Sequence, residues 1–464
     1  MAKHKTALVV MALVGGLAIL SSCKRAEPGA AADALRVVKV EGAAVCYNYN
    51  LSPFSWMVSE GRPAGLLARD GDFLIFADKG EDKKEGVSLP LRYRATDGSV
   101  LVIAFEGWRM LIGGKTVSAL LKDEATWDWL GQASEEDVKG LRLLQMEENV
   151  NAAHLEILKK VSKTNSAVDL FFEQPEGKED AAAGPDEVLR LFRPRLLSIA
   201  AATLAAETEQ VRPALEDVAV LIVDAKEEGS LDFLSHLPRL RTLVLSNWSA
   251  EEAPLPQNLK GLKSLILIGA KSPVALASLA GLAHLEQLTL VGGNVEDLGA
   301  LAKLPRLKTL SLTGCEKAAD LGPLKDLPLE YLSFPPKVSQ QEFDATVKAH
   351  PALKAVELFN CENVKDIGSL KNLKNLEALV LIKPAFEGEA DKPLADLKEL
   401  KGLRLLVLPP WEGEEADAKI AELQKALPDC LITAGKPLCL GSGWILLLAP
   451  VAAGAWLIAR RRRG

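Results

Sequence analysis

The chain has 464 residues, of which 48% are hydrophobic and 25% are charged. This composition is ordinary for a folded protein with room for about two or three domains, and it excludes a chain that is disordered throughout. The formal net charge is −7, whereas binding to DNA or RNA requires clustered lysines and arginines, so we expect no nucleic-acid partner.

The N-terminus has the composition of an export signal. Lys3 and Lys5 precede an uncharged apolar run that ends in small residues before Cys23, an order typical of secretory signals. Residues 20–23, LSSC, resemble the lipobox of bacterial lipoproteins, which implies that the Cys23 thiol is lipidated and becomes the new N-terminus. An ordinary signal peptide with an incidental cysteine is the alternative. The sequence therefore predicts a lipoprotein signal at 1–23 and a tether at 24–35.

Residues 36–120 have the pattern of a small β-rich domain. Short apolar runs alternate with Gly-rich turns, and Asp97-Gly98 predicts a hairpin. We expect this region also to cap the first repeat of the domain that follows, because the open end of a stacked array needs covering. An enzyme in this region is disfavoured, because the region contains no histidine and no recognisable catalytic triad.

A leucine pattern recurs through the second half of the chain. In LPRLKTLSLTGC, residues 304–315, leucines occur at steps of three, three and two. The final step of two recurs along the chain, and its first hydrophobic residue lies at 243, 265, 288, 310, 332, 356, 379 and 406. This is the L-x-x-L-x-L pattern of leucine-rich repeats. The step of two predicts a strand and the steps of three predict a turn-rich or 3₁₀ return.

Weaker copies extend the array in both directions. They predict strands near 144, 168, 197 and 221, and residues 423–432 resemble a closing half-repeat. The prediction is a leucine-rich-repeat domain of roughly twelve strands at 126–433, with its strong repeats at 234–432. The predicted fold class is α/β: a solenoid with a parallel sheet on its concave face and 3₁₀ or short helical returns, preceded by the β-rich region and followed by one transmembrane helix.

Two repeats, NVEDLGALAKLPRLKTLSL (294–312) and NVKDIGSLKNLKNLEALVL (363–381), resemble the 22-residue repeats of the internalins. Asp297, Asp320 and Asp366 precede the return segments, where a short acceptor can satisfy backbone N–H groups. The position that is usually Asn in that family is Cys in two repeats, at Cys315 and Cys361, and the other repeats depart from the family pattern, which predicts a less regular turn. The residues at those positions are Trp248, Ala270, Gly293, Lys337 and Pro384. The resemblance implies the fold and is almost silent about a ligand.

The C-terminus has the composition of a membrane anchor. Residues 437–459 carry no charge over 23 residues and precede an arginine cluster at 460–464. As a helix this span reaches about 34 Å, which exceeds a hydrocarbon core of about 30 Å. The arginines predict a cytoplasmic end, with the preceding chain outside. A sorting tail that is cleaved from the mature protein is the alternative.

The sequence shows no recognisable catalytic or cofactor motif. His236, His284 and His350 lie 7, 4 and 6 residues before their strands, so they cannot form one column, and we expect solvated return-face histidines and no metal site. Cys315 and Cys361 are two repeats apart, too far for a disulfide, and we expect them to be buried free thiols. No cofactor and no catalytic residue are predicted.

The strand residues that point away from the leucines form the candidate partner surface. A solvated sheet would carry more charge than this lane, in which Glu357 alone is charged. β-propensity and the C-terminal cap explain the apolar residues equally well. The candidate residues are Gln287, Thr289, Thr309, Ser311, Tyr331, Glu357, Phe359, Val380 and Ile382.

These features predict a non-enzymatic, exported protein that is tethered to a membrane of the bacterial cell envelope, facing the periplasm or the surface. The leading hypothesis is that it binds a protein partner through the concave sheet. The alternative is a structural protein that uses the solenoid as a spacer.

Overall fold

The computed structural model describes residues 124–434, except 142, 148–149, 174–182, 207, 226–229, 250–253, 257, 269–275, 292–294, 314, 383–390 and 409–413, and it describes nine strands between residues 36 and 121. The predicted signal at 1–23 with Cys23, the tether at 24–35, the span at 437–459 and the cluster at 460–464 lie outside the described residues. No helix among the residues described is long and apolar enough to cross a membrane.

Strands β1 to β7 of the N-terminal region pair antiparallel. Strands on both sides of Asp97-Gly98, β6 and β7, pair antiparallel as the hairpin prediction requires, although the turn itself is not among the described residues. A five-stranded sheet has the order β3-β2-β5-β6-β7, and β1 pairs with β4. The strands are β1 (Arg36–Val40), β2 (Ala43–Asn48), β3 (Ser52–Met57), β4 (Ala64–Ala68), β5 (Leu74–Asp78), β6 (Leu91–Arg94), β7 (Val100–Ile103), β8 (Arg109–Ile112) and β9 (Lys115–Leu121).

The repeats form one large sheet. Strands β9 to β22 pair in chain order and in parallel, and β8 joins β9 antiparallel at one edge to give fifteen described strands. The four weak repeats are confirmed as β10 to β13. The remaining strands are β10 (Leu143–Glu147), β11 (Asp169–Glu173), β12 (Leu196–Ala200), β13 (Val220–Asp224), β14 (Thr242–Ser246), β15 (Ser264–Ile268), β16 (Gln287–Val291), β17 (Thr309–Ser311), β18 (Tyr331–Phe334), β19 (Ala355–Phe359), β20 (Ala378–Ile382), β21 (Leu405–Leu408) and β22 (Leu431–Ala434).

A column of apolar side chains runs through the coil at one strand position. Leu243 pairs with Leu265, Leu265 with Leu288, and Leu288 with Leu310, so the predicted register is confirmed. Each of these four leucines is 0% exposed. A single repeat cannot bury its own leucines, so the neighbours on both sides supply the burial.

The returns between strands are of two kinds. The 3₁₀ segments all lie between strands that start 22 or 23 residues apart, whereas the α-helices lie between strands that start 24 to 28 apart. An α-helix rises about 1.5 Å per residue and a 3₁₀-helix about 2.0 Å, so an α-helix needs more residues to cross the same return. The 3₁₀ segments are Asp232–His236, Leu276–Gly281, Gly299–Lys303, Gly322–Leu324 and Gly368–Asn372.

The nine described helices occupy the longer returns. They are α1 (Glu124–Gln132), α2 (Glu135–Gly140), α3 (Ala152–Thr164), α4 (Pro185–Leu191), α5 (Ala201–Ala206), α6 (Thr208–Leu215), α7 (Gln340–Ala349), α8 (Asp391–Glu399) and α9 (Glu414–Ala426).

Short polar side chains close the turns, as the sequence predicts. The Oδ1 atoms of Asp297, Asp320 and Asp366 accept hydrogen bonds from the backbone N–H two residues later, at 2.7 to 2.9 Å. The Cys315 thiol donates to the carbonyl of Leu290 in the preceding repeat at 3.6 Å. The thiol therefore ties the turn after β17 to strand β16 of the preceding repeat.

A row of charges that alternates in sign flanks the sheet. The residue before each strand from β15 to β21 is in turn basic or acidic, and its backbone N–H donates to the equivalent carbonyl of the preceding repeat. Ion pairs join several neighbours, including Lys263 to Glu286 at 2.9 Å and Lys354 to Glu330 at 2.8 Å. Each such pair is worth only about 0 to 1 kcal/mol, but alternation avoids like charges on adjacent strands. The row consists of Lys263, Glu286, Lys308, Glu330, Lys354, Glu377 and Arg404.

The N-terminal strands lie against both ends of the repeat sheet. Strand β7 has Cα atoms within 8 Å of β9 and β10, and β4 has Cα atoms within 8 Å of β21 and β22. Strand β9, which the sequence assigns to the β-rich region, is the first parallel strand of the repeat sheet. Strands β8 and β9 of the β-rich region are thus part of the repeat sheet at its N-terminal edge.

We expect Leu310→Ala to lower the free energy of unfolding by about 2 to 5 kcal/mol, because the truncation leaves a cavity in a fully buried column. Urea denaturation followed by circular dichroism measures the change. Lys303→Ala, at an exposed position of the same repeat, is the control and should change stability by no more than about 0.5 kcal/mol. Equal stabilities of the two variants would contradict the register.

Candidate protein-binding surface

The concave face is defined here as the side of the repeat sheet whose side chains alternate with the leucine column. The strand register brings all nine predicted surface residues together on it. One row runs along equivalent strand positions through Thr289, Ser311, Ser333, Glu357 and Val380. A second runs through Gln287, Thr309, Tyr331, Ala355 and Ala378, and Phe359 pairs with Ile382.

Hydroxyl groups dominate the middle of the face. The Thr313 Oγ1 atom lies 3.1 Å from Ser311 Oγ and 2.6 Å from Ser333 Oγ, so three hydroxyls form a connected chain across β17 and β18. The Tyr331 hydroxyl donates a hydrogen bond to the Glu357 carboxylate. This hydrogen bond joins β18 to β19 and restricts both side chains.

The concave face is buried in this chain. Ser311 and Glu357 are 0% exposed, and Tyr331 is 4% exposed. Seven of the nine predicted residues are buried, whereas Gln287 and Phe359 keep partial exposure. The sequence predicted the position of these side chains on the sheet, but their burial requires contacts that a repeat pattern does not contain.

Apolar residues on this face form packing separate from the leucine core. Val244, Ile266 and Ile268 make a buried cluster of their own, against which the half-buried Ile222 packs. Further along the face, buried residues lie outside the main core cluster: Leu143, Phe171, Leu196, Val220, Tyr331, Val380, Leu405 and Val407. The first four belong to the weak repeats, whose outward residues the sequence analysis did not single out, although the alternation of the strands would have identified them.

The histidines differ in their surroundings. His284 is exposed as predicted, but the prediction of a solvated side chain is wrong for His350, which is 4% exposed. Its ring nitrogens lie 2.9 Å from the Thr346 carbonyl and 2.8 Å from the Leu324 carbonyl. The ring therefore connects the end of α7 to the preceding return, a structural role created by the longer helical repeat.

Cys315, Cys361 and Cys430 are buried and free, as predicted for Cys315 and Cys361. Burial raises the pKa of each of these two thiols to about 12, so both stay protonated at neutral pH. Across the described part of the chain, no group of three or more His, Cys, Asp or Glu side chains is placed to hold a metal ion.

No family model matches the chain, and no curated protein matches it. Two solved structures of internalins from Listeria monocytogenes are similar to it. Internalin C2 shares 21% identity with a TM-score of 0.31, over 42% of this chain and 82% of that chain. The internalin inlF shares 20% identity with a TM-score of 0.38, over 59% of this chain and 75% of that chain. The assignment of a leucine-rich-repeat solenoid rests on the strand register and the repeated returns described above.

We expect Tyr331→Phe to lower the free energy of unfolding by about 1.5 to 3 kcal/mol, because it removes a hydrogen bond to a buried carboxylate. Thr309→Val is a matched control in the neighbouring strand. The Thr309 hydroxyl is buried, and among the described residues it has no hydrogen-bond partner, so its removal should be neutral or stabilising. Chemical denaturation of both variants measures the difference, and equal losses would show that the Tyr331 hydroxyl does not stabilise Glu357.

Proposed function

We propose that this protein is a non-enzymatic binding protein whose concave face makes a protein–protein contact. The observation that carries the proposal is the chemistry of that face: a buried sheet surface with hydroxyl and apolar side chains, on which Glu357 is the only charged member of the predicted set. Depletion of charge together with Tyr and Phe is typical of the centre of protein interfaces.

Two residues make the face reachable from solvent. Gln287 and Phe359 are the members of the predicted set that keep partial exposure. Phe359 pairs with Ile382 on the next strand, beside Val380, so an aromatic side chain borders an apolar patch. We infer that a partner first contacts this patch, because aromatic side chains bordered by apolar pockets are the usual anchors of protein interfaces.

We further propose that the protein is exported and held at a membrane of the bacterial cell envelope. The support comes from the sequence: a lipobox-like LSSC ending at Cys23, and an apolar span at 437–459 followed by arginines. The repeat domain would then face the periplasm or the cell exterior, where it meets other envelope proteins.

A second candidate function is that of a rigid spacer. It is favoured by the leucine column, which is continuous from β10 to β22, and by the row of alternating charges along the sheet edge. A spacer needs length and stiffness, whereas binding needs particular side chains on the concave face. The two functions therefore respond differently to substitutions on that face.

We expect Phe359→Asp combined with Ile382→Asp to abolish partner binding, because two charges in an apolar contact remove its anchors. The full chain is cross-linked in its own membrane and copurified proteins are quantified by mass spectrometry. A loss of about 30-fold corresponds to one interface hot spot of about 2 kcal/mol.

The matched control is Ala345→Asp combined with Ala352→Asp, at exposed positions of the return before β19. The control pair should retain every cross-linked protein, and circular dichroism of both pairs should match the parent. Retention of the same proteins by the concave pair would eliminate binding through this face and favour the spacer.

We expect Cys23→Ser to abolish incorporation of an alkyne-bearing fatty acid, because serine lacks the thiol that the proposed lipidation requires. In-gel fluorescence after click labelling measures incorporation, and Cys430→Ser, at a buried described thiol, is the control that should keep full labelling. Persistent labelling of the Cys23→Ser chain would rule out this residue as the lipid site.

A further inference from the structure

We propose that the chain occupies its own concave face: the N-terminal strands β1 to β7, residues 36–103, pack across it as an intramolecular ligand. The inference rests on the proposed function, since it names the occupant of the same face. A partner in trans would bind this face in competition with the chain's own strands.

The sheet cannot bury this face by itself. On one side of the sheet, the returns enclose the leucine column and bury it. The opposite side chains would remain in contact with solvent unless another layer packed on them, yet Leu143, Thr309, Glu357 and Leu405 are each 0% to 1% exposed. Every strand from β10 to β21 has at least one buried side chain on this face, so the covering layer spans most of it.

The contacts at two edges of the N-terminal region identify it as the covering layer. In the five-stranded sheet β3-β2-β5-β6-β7, strand β7 forms one edge and lies beside β9 and β10. Strand β4 lies beside β2 and β3 at the other edge, and it also lies beside β21 and β22. The N-terminal region therefore contacts the first and the last turns of the solenoid from its opposite edges, and its strands bridge the space between them.

The chain itself keeps the covering strands close to the repeat sheet. Only residues 104–108 separate β7 from β8, and β8 is hydrogen-bonded to β9, the first parallel strand of the repeat sheet. A short connection holds the covering strands next to the face at an effective concentration of about millimolar. The apparent affinity of any partner is reduced by the fraction of molecules in which the face is covered.

Hydrogen exchange of the full chain in detergent micelles tests the inference. Val407→Asp places a charge on the concave side of β21, which lies beside β4, whereas Leu406→Ala in the same strand perturbs only the leucine column. We expect Val407→Asp to speed amide exchange in β1 and β4 at least tenfold while β14 to β17 keep parent protection. Leu406→Ala should speed exchange in β20 to β22 without this selective effect on β1 and β4.

Two exchange results would overturn the inference. One is that the β4 amides of the unsubstituted chain exchange as fast as those of an unstructured peptide. The other is unchanged exchange in β4 of a folded Val407→Asp chain. If Val407→Asp unfolds β14 to β17, cross-linking of the unsubstituted chain decides instead.

For that measurement, photo-leucine is incorporated throughout the full chain, so that the leucines of β21 carry the reactive group. Cross-linked peptides that join 405–408 to residues 36–103 within the monomer support intramolecular occupancy. The same link found only in cross-linked dimers identifies a second copy as the occupant, and the absence of the link from both species excludes the N-terminal strands. Either of these two results overturns the inference.

These outcomes are separate from those of the proposed function. The exchange and cross-linking experiments could contradict the internal cover while the Phe359→Asp and Ile382→Asp pair still loses its partner. The concave face would then be a binding face without an internal ligand. Conversely, the β4 amides could be protected from exchange while the Phe359→Asp and Ile382→Asp pair retains every partner. The domain would then be packed internally and would lack the proposed binding function.

Discussion

The structure depends on the mutual burial of leucines in successive repeats. Leu243, Leu265, Leu288 and Leu310 are each fully buried only because an equivalent residue lies on each side. The strands are short and could not exist alone, so the column fixes strand register, and register fixes which side chains reach the concave face. A displacement by one residue would exchange the leucines for Thr, Ser and Glu, so the positions of all surface candidates follow from this one contact.

The features that repeat were predictable from the sequence, because each repeat carries the same local information. The step from three to two located the strands, and Asp297 and Asp366 were correctly placed as acceptors in the turns. Burial of the concave face was not predictable, because it depends on packing between the repeats and a region that has no repeat. The prediction that His350 is solvated was wrong for a related reason. An α-helical return encloses its ring, and a longer spacing between successive strands indicates such a return. The alternating charges were visible in the sequence and became meaningful only when their strands were aligned.

The two sides of the sheet differ in composition because they meet different neighbours. The inner side packs against copies of itself, so most of its strand residues are Leu. The concave side changes along the array, from Ile266 and Ile268 through the hydroxyls of β17 and β18 to Val380 and Val407, because it meets a layer whose residues do not repeat. The Tyr331 hydroxyl and the Glu357 carboxylate form a polar contact on the concave side of β18 and β19, and such contacts favour one arrangement of the packed surfaces over others.

A face that is covered by its own chain imposes a threshold on binding. The internal strands need not bind tightly, since their short connection replaces a second-order association by an intramolecular one. To displace the cover, the concentration of a partner must therefore exceed a threshold. That threshold is the effective concentration of the cover multiplied by the Kd of the partner and divided by the Kd of the cover for the same face. Because the cover touches the solenoid at both ends, release of either edge exposes part of the face, and the half-exposed Phe359 lies within the interior of the array rather than at an edge. Partner binding and release of the cover are then linked steps, and each favours the other through the same side chains.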